Sequence, residues 1–475
     1  MEGTLKQVPV MELAPAHTVD ILAHLHHYHA MYAPLFQRRE QREWCARYLQ
    51  GLLCPEIPEK AIEPMMLALE GDDANAIRAM QHFISEGSWD DGAILRRHWQ
   101  EVAVDLGDPE GVFILDDSAF VKQGSHSVGV KRQYCGQLGK KANCQAGVFL
   151  AYVSPRGYAL LDRRLYLPEE WVRDDAYAER RRQCAVPAQI AFQTKPALGL
   201  EMLRAVRETN SLPGRWLTCD EGYGRVTTFL DQVGALGRWY YAEVPQDTAV
   251  WRERPATVLP PWSGKGRKPI RRVLVADTPR PRTVKEIAAA LPEDGWGRQT
   301  IKTGSKGPIK ADFALLRVVA VRDGLPGPDV WLVLRREPST GELKTYLSNA
   351  PAEVSTQTLV TLSGMRWPIE TAFEDGKQLL GMGDDQVRTW VGWHHHMTLC
   401  ILAHFLLVRL KVRLADKAPA LTLPQAQLLL TGLLAKRDFD TEWALAVLGY
   451  RQRRNHAAYL SHRSRRAKAR DQPAH

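Results

Sequence analysis

Two short apolar segments that each end in aspartate restrict the fold more than any other feature of the sequence. Residues 112–115 (Val-Phe-Ile-Leu) are followed by Asp116 and Asp117, and residues 216–219 (Trp-Leu-Thr-Cys) are followed by Asp220. Short apolar runs bounded by turn-forming residues are typical of buried β-strands. Carboxylates at the ends of adjacent strands converge, so the sequence predicts a sheet with acidic residues at one edge.

Segments with strand and helix patterns surround these acidic ends. Strand patterns at 143–153 and 158–167 predict a meander of three strands with residues 112–117, and the loop at 121–142 is rich in glycine and lysine. The remaining segments of this region are predicted helices at 169–184, 196–207 and 226–233 and a predicted strand at 239–244. This order predicts an α/β fold with a mixed sheet flanked by helices.

A helical region precedes the predicted sheet. Apolar residues recur at helical spacing from residue 18 to about 104, and residues 1–105 are predicted to form an N-terminal helical domain. Its basic residues include Arg38, Arg39, Arg42 and Arg47. Two interpretations are open: the domain binds DNA, or it is a scaffold with a solvated basic face.

The second half of the chain interrupts the α/β pattern and then resumes it. After a first core part at 106–249, residues 250–350 are predicted to form a mainly β insertion, with strands at 314–321, 330–336 and 344–348. Residues 351–415 are predicted to complete the core, and residues 416–475 to form C-terminal helices and a basic tail. We expect that tail to be frayed or disordered, because residues 451–470 contain no acid.

Charge and cysteine content narrow the class of protein. The formal net charge of +9 favours an anionic partner, although a basic protein that is simply soluble is an equally open interpretation. Seven widely spaced cysteines without a Cys-x-x-Cys pair suggest neither a disulfide framework nor a zinc ribbon, so we expect a cytoplasmic location. We expect no signal peptide and no membrane partner, since the apolar run within 397–408 fits a core helix and is too short to span a bilayer.

Residues 366–377 (Arg-Trp-Pro-Ile-Glu-Thr-Ala-Phe-Glu-Asp-Gly-Lys) have the pattern of an amphipathic helix that begins near Pro368. If Ile369 and Phe373 face inward, Glu370 lies at the edge of a buried face in the first helical turn, where the helix dipole favours a carboxylate. Two interpretations are open for Glu370: an ordinary surface residue, or a rigidly placed metal ligand.

The order of the acids on strand, strand and helix suggests metal chemistry. Each aspartate taken singly is weak evidence, because aspartates often cap turns at strand ends. Three carboxylates near one point repel each other, so such a site requires divalent cations, and hard oxygen ligands select Mg²⁺ or Mn²⁺. Two such ions can activate water and stabilise the leaving oxygen of a phosphodiester. The residues alone do not choose between Asp116 and Asp117 as the first acid.

Five segments of the sequence resemble the DDE insertion-sequence transposases, whose catalytic core has the ribonuclease-H-like fold. They are residues 115–130, 132–140 (Arg-Gln-Tyr-Cys-Gly-Gln-Leu-Gly-Lys), 219–224 (Cys-Asp-Glu-Gly-Tyr-Gly), 366–381 and 387–396. The closest group is typified by insertion sequence seven-oh-one and is related to the group that shares the Y-R-E-K motif. The resemblance spans residues 18–440 and implies a ribonuclease-H-like mixed sheet with a β-rich insertion before the catalytic glutamate.

The resemblance implies a catalytic triad. The first catalytic acid of the family is followed by Ser or Thr, which designates Asp117, and the other two are Asp220 and Glu370. These residues are expected to hold two Mg²⁺ ions, for which Mn²⁺ can substitute.

Basic residues near the acids are predicted to contact DNA. Arg366 and Lys377 match the Y-R-E-K spacing and suit phosphate oxygens, whereas Ser363 stands where that motif has tyrosine. Further basic residues crowd the loop after the first acids: Lys122, His126, Lys131, Arg132, Lys140 and Lys141. Phosphate contacts and a solvated loop are the two interpretations of that loop, and we favour the first.

Two other features carry weaker predictions. The adjacent residues His394, His395 and His396 point in different directions on a helix, so we expect packing rather than a metal cluster. The basic run at 265–272 and the basic tail predict non-specific DNA affinity that falls steeply with salt.

The resemblance implies a cut-and-paste DNA transposase acting on double-stranded DNA, both transposon ends and target. A metal-activated water would cut the strand at each end, and the freed 3′-hydroxyl would attack target DNA. Joining two ends implies at least a homodimer. Two alternatives are a metal-dependent nuclease of the same fold without strand transfer and a transposase-derived DNA-binding regulator. The intact triad argues against the regulator.

Overall fold

A large mixed sheet forms the centre of the computed structural model, which describes residues 11–14, 16–262, 264, 266–304, 307–431, 433–434 and 440–470. Its strands in chain order are β1 (Val112–Val121), β2 (Lys131–Cys135), β3 (Lys140–Ser154), β4 (Gly157–Tyr166), β5 (Trp216–Cys219), β6 (Trp239–Glu243), β7 (Ala249–Trp251), β10 (Arg282–Thr283), β11 (Gly297–Gly304), β12 (Gly307–Arg322), β13 (Leu325–Arg336) and β14 (Leu343–Ser348). A separate pair consists of β8 (Thr257–Val258) and β9 (Val273–Leu274).

Helices cover the sheet and form the N-terminal region. They are α1 (Ala16–Tyr32), α2 (Arg39–Leu53), α3 (Ile62–Glu70), α4 (Ala74–Ser85), α5 (Asp91–Leu106), α6 (Glu169–Arg173), α7 (Ala178–Gln183), α8 (Lys195–Thr209), α9 (Glu221–Gly224), α10 (Thr227–Ala235), α11 (Val284–Ala289), α12 (Thr356–Leu362), α13 (Trp367–Leu379), α14 (Trp390–Arg413), α15 (Leu423–Thr431) and α16 (Thr441–Arg470). The predicted helical pattern from residue 18 to 104 is confirmed.

The core of the sheet has the strand order β6-β5-β1-β3. β5 pairs in parallel with both β1 and β6, whereas β3 pairs antiparallel with β1. β4 and β2 pair with successive parts of β3 on its outer side. A three-stranded meander followed by parallel strands and flanking helices is the ribonuclease-H-like arrangement, and the predicted α/β fold class is confirmed.

The acids of β1 do not end their strand, which corrects the prediction. The parallel pairing with β5 stops at Leu115 and Cys219, but the antiparallel pairing with β3 continues from Val112 to Val121. The long partner strand β3 keeps β1 extended after its parallel neighbour has ended. Asp116 and Asp117 therefore lie in mid-strand. They are level with the end of β5, where Asp220 follows.

Two local predictions before β5 also need correction. The predicted loop at 121–142 contains strand β2, whose hairpin partner is the start of β3. The predicted helix at 169–184 is broken into α6 and α7. Asp174 causes the break, because its backbone is extended and its side chain accepts a hydrogen bond from the Ala176 N–H.

Most strands of the β-rich insertion extend the core sheet, and only the short pair β8 and β9 lies apart from it among the described residues. The predicted strands at 314–321, 330–336 and 344–348 correspond to β12, β13 and β14. β14 pairs antiparallel with β6, so the strands between β6 and α12, apart from the pair β8 and β9, continue the same hydrogen-bonded ladder outward. This pairing fixes the insertion beside the core.

Helix α14 is a core helix, as predicted. It is long and apolar enough to pass a length and composition test for crossing a membrane, but its most apolar stretch is 94% buried inside the protein. The Nδ1 atom of His396 lies 2.7 Å from the Tyr48 hydroxyl. The ring of His395 stacks on Trp89 with centroids 3.5 Å apart. All three histidines are buried, which confirms that they pack in the core.

The C-terminal basic region is helical, which corrects the expectation of a frayed tail. Helix α16 extends to Arg470, and residues 451–464 are exposed. Ion pairs connect its first half to the N-terminal region, since Arg453 lies 3.1 Å from Asp72 in the turn after α3 and Arg454 lies 3.4 Å from Glu63 of α3. In the basic run at 265–272, Lys265 lies outside the described residues.

We expect Gly224→Ala to destabilise the fold by about 1–3 kcal/mol. A Cβ atom at Gly224 would lie 1.9 Å from the Glu243 carbonyl oxygen, and neither backbone can move without disturbing β6. The free energy of unfolding, measured with denaturant, checks this. Gly136→Ala is the control, because a Cβ there meets nothing within 4 Å. Equal stability of the two variants would contradict the packing described here.

Candidate active site

The alternation of side chains along β1 decides which acid faces which helix. Asp116 is paired with Phe149 of β3, and the Phe149 ring contacts Phe373 of α13 at a centroid distance of 5.2 Å. Leu115 packs against Gly199 of α8. Even-numbered side chains of β1 therefore face α13, and Asp117 faces α8 with Leu115.

Helix α13 places Glu370 in its first turn, with Trp367 and Pro368 as the preceding helical residues. Ile369 is fully buried and Phe373 nearly so, and this apolar face packs on the sheet. The predicted amphipathic helix is confirmed, with its start one residue before Pro368. Packing against the sheet fixes the position of Glu370 relative to β1.

Arg366 joins the strand and the helix. Its Nη1 atom lies 2.8 Å from Asp116 Oδ2, and its Nη2 atom lies 2.9 Å from Glu370 Oε1. The side chain is only 28% exposed, so water screens these charge-assisted contacts less than it would at the surface. The structure therefore brings Asp116, Arg366 and Glu370 together.

Asp220 directly follows β5 and is the N-cap of α9, where its side chain accepts a hydrogen bond from the Tyr223 N–H at 3.3 Å. By the register of β5 and β1, it comes level with Asp116. Burial raises the pKa of the Asp220 carboxyl, and the negative charge of Asp117 acts in the same direction. Asp220 is thus close enough to the acids of β1 to repel them.

Asp117 has a different partner. Its Oδ2 atom lies 2.7 Å from Lys195 Nζ, and Lys195 is the first residue of α8. The structure does not bring Asp117 to Glu370, although the family resemblance designates it as the first catalytic acid. Sequence reasoning missed Lys195, and the available signal was the helix start Thr194-Lys195-Pro196, where Thr194 accepts a hydrogen bond from a backbone N–H.

Asp116 carries the largest electrostatic perturbation among the candidate acids. Burial raises the pKa of its carboxyl to about 7; the Arg366 guanidinium opposes this shift, and repulsion from Asp220 and Asp117 adds to it. One guanidinium therefore does not compensate the buried negative charge. Such a site favours an added cation, because a cation lowers the cost of ionising the acids.

The donor set fits a hard divalent cation by its chemistry, since Asp116, Asp220 and Glu370 offer carboxylate oxygens at a partly buried site. Among the described residues, no three His, Cys, Asp or Glu side chains are gathered closely enough to hold a metal ion. Arg366 occupies carboxylate oxygens of both Asp116 and Glu370. Binding of a cation between these two acids would therefore require Arg366 to release at least one of them.

The predicted basic residues are placed unequally. Lys377 Nζ donates hydrogen bonds to the Ala119 carbonyl oxygen at 3.0 Å and to Gln137 Oε1 at 3.1 Å, on the side of the sheet that faces α13. Lys122 forms a nearly buried ion pair with Asp385 at 2.8 Å, so we do not retain it as a phosphate contact.

The remaining predicted contacts lie around strand β2. Lys131 is paired with Glu170. Arg132 is exposed on the same strand, and His126 is exposed in the preceding loop.

Ser363, at the position of the motif tyrosine, lines a cleft of about 550 Å³ beside Glu370. Its hydroxyl donates a hydrogen bond to the Val360 carbonyl oxygen at 2.7 Å. The cleft separates α13 from the strands of the insertion, and Lys302 of β11 lies over the Trp367 ring at 5.9 Å from its centroid.

A family model described as DDE superfamily endonuclease matches residues 31–308. The chain belongs to this family. The matched region contains Asp116, Asp117 and Asp220, whereas Glu370 lies beyond it. No curated protein matches the chain significantly. Membership of the DDE superfamily endonucleases supports a nuclease or transposase function that acts on DNA with divalent metal.

We expect the metal-free protein to lose stability as the pH rises from about 4 to 8. The folded protein keeps a proton on Asp116 up to about pH 7, whereas the unfolded carboxyl releases it near about pH 4. The stabilisation is therefore complete below about pH 4 and is lost through about pH 7, amounting to a few kcal/mol. Denaturant unfolding in EDTA at several pH values measures it.

Asp116→Asn is the comparison variant, because an amide does not titrate in this range. Its free energy of unfolding is expected to depend less on pH than that of the unaltered protein. A divalent cation such as Mg²⁺, added at about pH 8, should restore part of the lost stability if it binds the ionised folded site, because binding to the folded state alone stabilises it. The same pH dependence in both proteins would rule out Asp116 as the source.

Proposed function

We propose that the protein is the DNA transposase of an insertion sequence, which cuts transposon-end DNA and joins the freed 3′-hydroxyl to target DNA. The observation that carries the proposal is that Arg366 bridges Asp116 of β1 and Glu370 of α13. Asp220, which follows β5, comes level with Asp116 by the register of the two strands. Two of these acids come from neighbouring strands, and the third comes from a helix that packs on the same sheet. Such a group of acids suits phosphodiester cleavage by two metal ions. The sequence segments shared with the group of insertion sequence seven-oh-one support the finer assignment.

Asp116, Asp220 and Glu370 are the proposed metal ligands. Asp116 lies on the face of β1 that packs against α13, the helix that carries Glu370, and this supports Asp116 as the β1 ligand. The family pattern designates Asp117 instead. Bound Mg²⁺ would supply a Lewis acid that activates water and stabilises the leaving oxygen. Asp117, paired with Lys195 at 2.7 Å, is proposed to position the start of α8 against β1.

Arg366 is proposed to contact the scissile phosphate. Its guanidinium pairs with both Asp116 and Glu370, and release of one carboxylate would turn its N–H donors toward a phosphate oxygen. Lys377, whose pKa is lowered by burial, contributes positive charge at the other end of the same helix.

The proposed partners and location follow from this reaction. Transposon ends and target are double-stranded DNA, and holding two ends together calls for at least a homodimer. All seven cysteines are free and buried, which suits a reducing cytoplasm. Mn²⁺ is expected to substitute for Mg²⁺, because both accept oxygen ligands.

Strand transfer by purified protein with Mg²⁺ and a duplex carrying the ends of its own element tests the function. We expect Asp220→Asn and Glu370→Gln each to lower the rate at least about 100-fold, because the removed charge stabilises metal and transition state. Glu374→Gln is the matched control, since Glu374 is exposed one turn further along α13. Full activity of Glu370→Gln would refute the site.

The product separates the proposal from its alternatives. DNA joined to target supports a transposase, and DNA that is only cut supports a nuclease of the same fold. Metal-independent binding with no cleavage under any ion would support a DNA-binding regulator.

Substitution of the two β1 acids decides which one is a metal ligand. We expect Asp116→Asn to abolish cleavage and metal-dependent stabilisation, whereas Asp117→Asn should retain Mg²⁺-dependent stabilisation and lose activity only in part. The difference follows from the opposite faces of neighbouring strand residues. Thermal unfolding with and without Mg²⁺ provides a readout that does not depend on activity. The reverse pattern would assign the role to Asp117.

A further inference from the structure

A two-stranded ribbon beside the active site carries exposed basic and aromatic side chains. It consists of β2, the turn at Gly136–Leu138 and residues 140–144 of β3, and we call it the basic ribbon. We propose that the basic ribbon binds the transposon-end DNA next to the cleavage site, with its cations on phosphates and Tyr134 against a base or sugar. This inference rests on the proposed transposase function.

The charge of this part of the chain is one-sided. No acid occurs between Asp117 and Asp162, and the segment contains Lys122, Lys131, Arg132, Lys140, Lys141 and Arg156. Lys122 and Lys131 are paired with acids from other elements. Within the described part of the chain, no ion pair involves Arg132, Lys140 or Lys141, and all three are exposed. Their charge is thus available to an anionic partner.

The ribbon presents a defined face. Tyr134 is paired with Lys141, and Arg132 with Asn143, so these side chains lie on one face of the ribbon. By the alternation along β3, this is the face on which Phe149 contacts α13. The opposite face is closed by Cys135, Cys144 and Ala119. The ring of Tyr134 is 67% exposed, although nothing in its own strand requires an aromatic residue there.

Direct contacts hold the ribbon beside the catalytic helix. Lys377 of α13 donates a hydrogen bond to Gln137 in the ribbon turn and another to the Ala119 carbonyl oxygen. Glu370 and Lys377 are seven residues apart on α13, which corresponds to about 10 Å. A strand with its scissile phosphate at Glu370 would reach the ribbon after about three nucleotides.

The shape and chemistry of the ribbon fit DNA. A two-stranded β-ribbon is narrow enough for the major groove, and lysine and arginine side chains on it can neutralise phosphates. An exposed aromatic ring between cations offers a stacking surface for a base that has lost its partner at a cut end. Asn143 keeps the ribbon base rigid, because its Nδ2 atom donates to the carbonyl oxygens of Lys122 and Gly124.

DNA binding in a cleavage-deficient background tests the inference. Fluorescence anisotropy would follow the binding of the Asp220→Asn protein to a labelled duplex from the end of its own element, in EDTA and over a series of salt concentrations. Adding Arg132→Gln and Lys141→Gln, which removes both cations from the face that carries Tyr134, should reduce the salt-dependence slope by about 2, since each lost phosphate contact removes about 0.9. Arg156→Gln, at the far end of β3, is the matched control and should leave the slope unchanged.

The aromatic contact is tested separately with a duplex that has an unpaired end. Tyr134→Ala should weaken binding about tenfold, whereas Tyr134→Phe should bind like the parent because the ring remains. Circular dichroism confirms that each variant is folded. Unchanged slope and affinity in the ribbon variants, with normal binding by the parent, would overturn this inference alone. Failure of the parent to bind any DNA would overturn the proposed function as well.

Discussion

The contact of Arg366 with Asp116 and Glu370 is the interaction on which the site depends. It joins the sheet to α13, and it does so with a cation between two carboxylates that would otherwise repel each other. The apolar packing of Ile369 and Phe373 sets the distance, and the guanidinium makes that distance tolerable before any metal binds. The residue that stabilises the arrangement of the two acids is therefore also the one that would have to release an acid for a cation to bind between them.

Much of the fold could be predicted from periodicity, whereas the choice between Asp116 and Asp117 could not. Helical spacing identified the N-terminal helices and α13, and short apolar runs identified β1 and β5. The two acids are adjacent, however, so they lie on opposite faces, and the sequence does not show which face of β1 packs against α13. The answer depends on contacts such as Phe149 with Phe373, which join residues more than two hundred positions apart.

Long-range pairing also explains what was missed around the site. The insertion was predicted as β-rich, but its continuity with the core depends on the pairing of β14 with β6, about a hundred residues earlier in the chain. Strand β2 escaped notice because its alternation covers only five residues and one face is polar. Lys195 had no local signal beyond a helix start, since its partner Asp117 belongs to another element.

The two ends of α13 face different surroundings, so the surfaces on the two sides of the acids differ. Near Glu370 a cleft separates the helix from the insertion, and its lining includes Ser363, Trp367 and Lys302. Near Lys377 the helix is bonded to the ribbon turn through Gln137. A nucleic acid lying along α13 would therefore meet a cleft on one side of the acids and a basic ribbon on the other. Because both surfaces are fixed to the same sheet, the fold sets their positions relative to the acids.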